Sequence, residues 1–201
     1  MAYIAYGRIE ATIGTRFPHE RIGETLQKIL RKLRSPAVSQ LSFKSMLDWP
    51  SKTIYVLGKK RKLTNDPTLM DDKNYFFYEK GSDFTKSFDS SFRKYLLYRI
   101  KEEATRSNIR IDFFKVKVGR YRSKQASFRS IDKLFEFDRR VFAYAPIVVD
   151  SVIDHELSHT VSIRHDKEFY RILYRQIPEC IYKNSKWIIT TGNFGSDPYA
   201  L

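Results

Sequence analysis

Three of the chain's four histidines, His155, His159 and His165, fall within eleven consecutive residues, and Glu156 stands beside the first of them. Residues four apart share one face of an α-helix, so His155 and His159 can offer two imidazole nitrogens to one metal ion. Glu156, one step round the same helix, can reach a water in an open coordination position and take its proton as that water attacks a polarised carbonyl. The spacing therefore predicts one catalytic zinc ion (Zn2+) with Glu156 as general base. A third ligand must come from elsewhere. His165 is favoured, because Arg164 and Asp166 suggest a turn after the helix and six residues of chain can fold back to the metal; Glu168 and Glu179 are the carboxylate alternatives.

A ligand helix needs a rigid seat. Pro146 suits a first helical turn, and Val148, Val149, Val152, Ile153 and Leu157 form a broad apolar stripe that would bury the helix in a core. A second helix is predicted from a cap near Asp83 to about Arg106, with Phe88, Phe92, Leu96 and Ile100 inward, packed beside the first. Asp166 reads as the N-cap of a third, with Phe169, Ile172 and Leu173 inward and Pro178 ending it, which would brace His165. Strands are expected near Ile9 to Ile13, in a hairpin from Thr53 to Leu63 turning near Gly58, and from Tyr75 to Glu79. Two more are expected, one alternating from Phe114 to Val118 and one from Leu134 to Phe142. Such a strand is expected to border the cleft, where a peptide could add to its free edge through main-chain hydrogen bonds. Glu20 to Leu33 has helical spacing, 35–50 reads as an irregular connection, 65–74 as a loop, and Ile188 with Ile189 as a short apolar segment.

These elements predict an α+β fold in one domain over 1–201: an N-terminal strand, helix and hairpin portion over 1–80, a core over 81–190 and a loose tail over 191–201. With 201 residues, 42% of them hydrophobic, the chain can bury such a core. No stretch approaches the roughly 20 apolar residues of a membrane span, and the first residues lack a signal-peptide pattern, so the expectation is a cytoplasmic chain with no membrane partner. Cys180 is the single cysteine, which excludes an internal disulfide and a cysteine zinc cluster and reads as a buried apolar residue.

Lysine and arginine number 37 against 23 acids, a net charge of +14. Lys59-Lys60-Arg61-Lys62 and Arg120-Tyr121-Arg122-Ser123-Lys124 concentrate it, so nucleic acid is an alternative partner to a peptide or protein substrate. In that alternative the zinc is structural, or a protease acts near nucleic acid. Lysines on strands also serve as solvation and edge protection. Asp150 and Asp154 are candidates to orient a ligand imidazole, with Asp154 expected on an exposed helix face. Tyr144, Tyr170 and Arg140 are candidates to stabilise an oxyanion, and His19 reads as a surface loop residue.

Several motifs together resemble the YgjP-like metallopeptidases, zincins related to the WLM and SprT-like groups. The counterparts are Arg120-Tyr121-Arg122-Ser123, Asp138-Arg139-Arg140-Val141, Pro146, the His155-Glu156-Leu157-Ser158-His159 helix and His165-Asp166-Lys167-Glu168-Phe169-Tyr170, followed by Pro178. The match covers roughly 111 to 180, and the Ile54 to Leu63 hairpin is a weaker counterpart upstream. The family's glycine and cysteine in the first motif are missing, and the stretch from Arg120 to Asp138 is longer. Ser162 stands where metzincins carry glycine, which argues against that group. The resemblance implies a zincin-like peptidase domain, with a small mixed or antiparallel sheet packed on the active-site helix and a neighbouring helix. It also implies peptide bonds as the substrate class.

Overall fold

Phe88, Phe92, Leu96 and Ile100 recur every four residues and all lie on the fully buried face of a 23-residue helix, α1 (Phe84–Arg106). Asp83 caps it by accepting a hydrogen bond from the Thr85 backbone N–H at 2.8 Å. The computed structural model describes residues 2–5, 8–11, 46–121 and 124–177, the first two stretches as backbone only. His19, Cys180, Glu179, the expected helix from Glu20 to Leu33 and the segment at Ile188 and Ile189 lie outside the described residues.

Strands β1 (Ala2–Ala5) and β2 (Arg8–Ala11) form an antiparallel pair that includes the expected N-terminal strand. A second sheet runs β3 (Leu47–Asp48), β4 (Thr53–Val56), β5 (Lys59–Thr64) and β6 (Tyr75–Phe77); its first three strands pair antiparallel and β6 joins β5 in parallel. The β4–β5 turn holds Leu57 and Gly58 at φ of 50° and 75°, a left-handed pair matching the twist of a two-residue hairpin. Gly58 is required there: a Cβ would come within 2.9 Å of the Ala145 backbone, and its N–H donates to the Ala143 carbonyl at 3.0 Å. The hairpin tip is thereby clamped to the residues that lead into the site helix.

The third sheet has β9 (Leu134–Asp138) at its centre, flanked by β7 (Lys115–Gly119) in parallel and β8 (Ala126–Arg129) antiparallel. Strand β9 is shorter than the expected run to Phe142. Asp138 accepts a hydrogen bond from the Arg140 N–H at 2.8 Å and caps a 3-10 turn over Arg139–Ala143, which turns the chain into α2 (Pro146–Ser158). Val148, Val149, Val152, Ile153 and Leu157 of α2 are buried against α1 and the sheets, each burial worth about 1.5–3 kcal/mol. Asp166 then caps α3 (Lys167–Gln176) by accepting from the Phe169 N–H at 2.9 Å. No helix among the described residues is long and apolar enough to cross a membrane.

Candidate metal centre

Helix α2 ends as the motif ends. His155 and Glu156 sit in its last turn, His159 is the C-cap in helical conformation, and the chain then folds back through 160–166 to α3. The His165 Nε2 lies 3.2 Å from the His155 Nε2 and 3.1 Å from the His159 Nε2. A tetrahedral zinc with bonds of about 2.0–2.1 Å requires nitrogens about 3.3–3.4 Å apart, close to the two spacings from His165, and all three donors lie within 4.8 Å of one another. Glu168, the described carboxylate alternative, is turned away and paired with Arg171.

The donor chemistry fits a metal as well as the spacing does. The His159 Nδ1 lies 3.0 Å from the Ser162 carbonyl, which can only accept, so Nδ1 carries the proton and Nε2 presents its lone pair to the centre. That carbonyl is fixed because the Ser162 hydroxyl lies 3.1 and 3.2 Å from the two Asp166 carboxylate oxygens. Beneath the cluster, the fully buried Phe169 packs its ring 4.9, 4.6 and 4.6 Å from those of His155, His159 and His165. Apolar spacing marks Phe169 as an inward residue; that it forms the floor of the imidazole cluster depends on the return of the chain through 160–166.

Glu156 is 5% exposed, and its Oε2 has no hydrogen-bond partner. Burial pushes its carboxyl up to about 8, opposed by a hydrogen bond from the Phe128 backbone N–H and by the Lys124 charge. A buried carboxyl with one bare oxygen can take or release a proton. The strand against α2 is β8, whose short half-buried run Ala126–Arg129 carries no strong alternation, whereas β7 lies on the far side of β9 and packs on α1.

Asp150 and Asp154 meet arginines of α1. Asp150 accepts from the Arg99 Nε at 2.9 Å, and Asp154 faces the Arg106 Nη2 at 3.4 Å, both from α1. Asp154 is 0% exposed, contrary to the exposed position expected for it, because its face of α2 is covered by α1 and by Gln176 of α3. Burial, reinforced by Glu103 and opposed by Arg106, pushes its carboxyl up to about 8. Arg140 is engaged by the Asp138 carboxylate at 2.7 Å and by the Tyr121 carbonyl at 3.0 Å. Tyr144 is buried, whereas Tyr170 stands beside the cluster, its ring 6.4 Å from that of His165. Of the basic runs, Lys59, Lys60 and Lys62 are exposed on β5, but Lys124 turns inward to Glu136 and to the Ser127 hydroxyl at 2.7 Å.

No curated protein matches the chain. Two solved structures are similar to about half of it. The metallopeptidase zymogen abylysin of Pyrococcus abyssi is 16% identical, with a TM-score of 0.46 over 48% of this chain and 93% of that one. The metallopeptidase zymogen jannalysin of Methanocaldococcus jannaschii is 20% identical, with a TM-score of 0.44 over 49% and 97%. The model of the YgjP-like metallopeptidase domain matches residues 4–189, nearly the whole chain and the entire histidine cluster with it, and the protein therefore belongs to the YgjP-like metallopeptidase family.

Proposed function

We propose that this metallopeptidase hydrolyses peptide bonds with one zinc ion held by His155, His159 and His165 and with Glu156 as general base. The observation that carries this reading is the convergence of three Nε2 atoms, with a buried carboxylate oxygen that has no hydrogen-bond partner on Glu156, the residue next to His155 in the helix. When bound, zinc supplies Lewis acidity, polarising a carbonyl and acidifying water. Glu156 takes the proton at Oε2 and passes it to the leaving amine, with the Phe128 N–H favouring its charged form. Strand β8, at the edge of its sheet and against α2, is suited to pair with an extended substrate through main-chain hydrogen bonds.

A purely structural zinc would be closed by four protein ligands. Among the described residues the cluster offers three. The test is Glu156→Gln, which keeps the shape and removes the base. Peptide turnover is expected to fall about 10²- to 10⁴-fold with bound zinc unchanged, and an active Glu156→Gln enzyme would refute the assignment.

A further inference from the structure

Phe113 and Ile131 are each 95% exposed, far beyond the other large apolar side chains described. Scattered single apolar residues on a surface are ordinary, but these two share one end of the third sheet. Phe113 lies two residues before the start of β7, and Ile131 sits in the β8–β9 turn. The two segments are tied together where the Lys115 N–H donates to the Lys133 carbonyl at 2.9 Å and the Lys133 Nζ donates to the Asp112 carbonyl at 3.3 Å. Phe113 also has a φ of 46°, a left-handed conformation that a bulky side chain adopts only under strain. Its neighbour Phe114 turns inward to pack edge-on against Phe135 at 5.7 Å. The backbone is thus held in a disfavoured conformation at the residue whose ring faces solvent.

Around this tip stand Arg110, Lys115, Lys117, Arg129 and Lys133, all exposed, with two carboxylates, Asp112 and Asp132. Arg129 holds Asp132 through two hydrogen bonds, at 2.8 and 2.7 Å. Arg110 lies 3.5 Å from Asp112, so the patch keeps a net positive charge from its lysines, an aromatic and an aliphatic side chain projecting from a basic collar. Two nearly fully exposed apolar side chains within a basic collar suit a soft acceptor whose surface is anionic and whose interior is apolar, and Ile131, lacking a π-face, adds nothing to base stacking.

We propose that Phe113 and Ile131, with the surrounding lysines and arginines, dock this protein on anionic lipid surfaces. The contact is peripheral: two side chains enter the headgroup layer and the collar meets the lipid phosphates. Because β8 runs from Phe128, beside Glu156, towards the Ile131 turn, docking would hold the metal centre close to the surface.

The experiment is co-sedimentation of the full chain with vesicles of phosphatidylglycerol and phosphatidylcholine, compared with phosphatidylcholine alone, at low and high salt. Binding to the anionic vesicles is expected, weakened by salt and tenfold or more by Phe113→Asn with Ile131→Ser. Asparagine tolerates the left-handed backbone and both positions are exposed, so the double variant should keep the thermal midpoint and solution peptidase activity of the parent. Ile131→Trp provides a second readout, a blue shift in tryptophan emission when anionic vesicles are added. A parent that stays in the supernatant, a double variant that binds like the parent, or an Ile131→Trp protein whose emission does not shift would overturn the proposal. So would binding of a single-stranded oligonucleotide that depends on Phe113 in place of vesicle binding.

Discussion

The His159 Nδ1 and the Ser162 carbonyl oxygen are 3.0 Å apart, and this contact joins the end of the site helix to the loop that returns His165. One end of the loop is held by the imidazole, and the Ser162 hydroxyl ties the middle to Asp166, which also caps α3. Two of the proposed ligands thus share one latch. Asp166→Ala should free the Ser162 carbonyl and the position of His165 together, lowering zinc affinity by about 10- to 100-fold. Competition against a chromophoric chelator would measure it, and Asp166→Asn, which still accepts a hydrogen bond at the cap, should recover most of the loss.

Phe169 supports the same centre from below. Truncating it to alanine removes a fully buried ring in contact with all three imidazoles. The expected cost is about 3–5 kcal/mol of stability, read by urea unfolding, together with weaker zinc binding. Phe169→Leu should be milder in both, because most of the volume is kept. Unchanged zinc affinity in Phe169→Ala would show that the imidazoles hold their positions without this floor.

Asp154 gives the fold a pH dependence of definite sign. Its carboxyl is raised to about 8 by burial, from an unfolded value of about 4, so the folded state holds a proton that the unfolded state has released between those values. Stability from this group is fully present below pH 4 and is lost as pH rises towards 8. Asp154→Asn should remove that slope, which for one proton is at most about 1.4 kcal/mol per pH unit. Thermal unfolding from pH 5 to 9 would show the variant gaining on the parent as pH rises; parallel curves would contradict the burial argument.

Much of the site was legible because its signals are local. The His-Glu-x-x-His interval, the apolar stripe from Val148 to Leu157 and the caps at Asp83 and Asp166 each act within a few residues, and the stripe and the caps have their expected places in the structure. What could not be read depends on contacts distant in sequence. Strand β8 has only four residues and no clean alternation, since its definition comes from pairing Phe128 with Phe135. Asp154 reads as exposed on an isolated helix, yet Arg106 and Gln176 from two other helices cover it. Strand β9 stops at Asp138 because that side chain caps the next turn.

Zinc content by elemental analysis, for the parent, His165→Ala and Glu168→Ala, tests the central claim most directly. The three-histidine centre predicts about one zinc per chain in the parent and in Glu168→Ala, and little or none in His165→Ala after mild chelation. A His165→Ala protein that keeps its zinc while Glu168→Ala loses it would contradict the account, and so would a folded parent that binds no zinc when it is supplied.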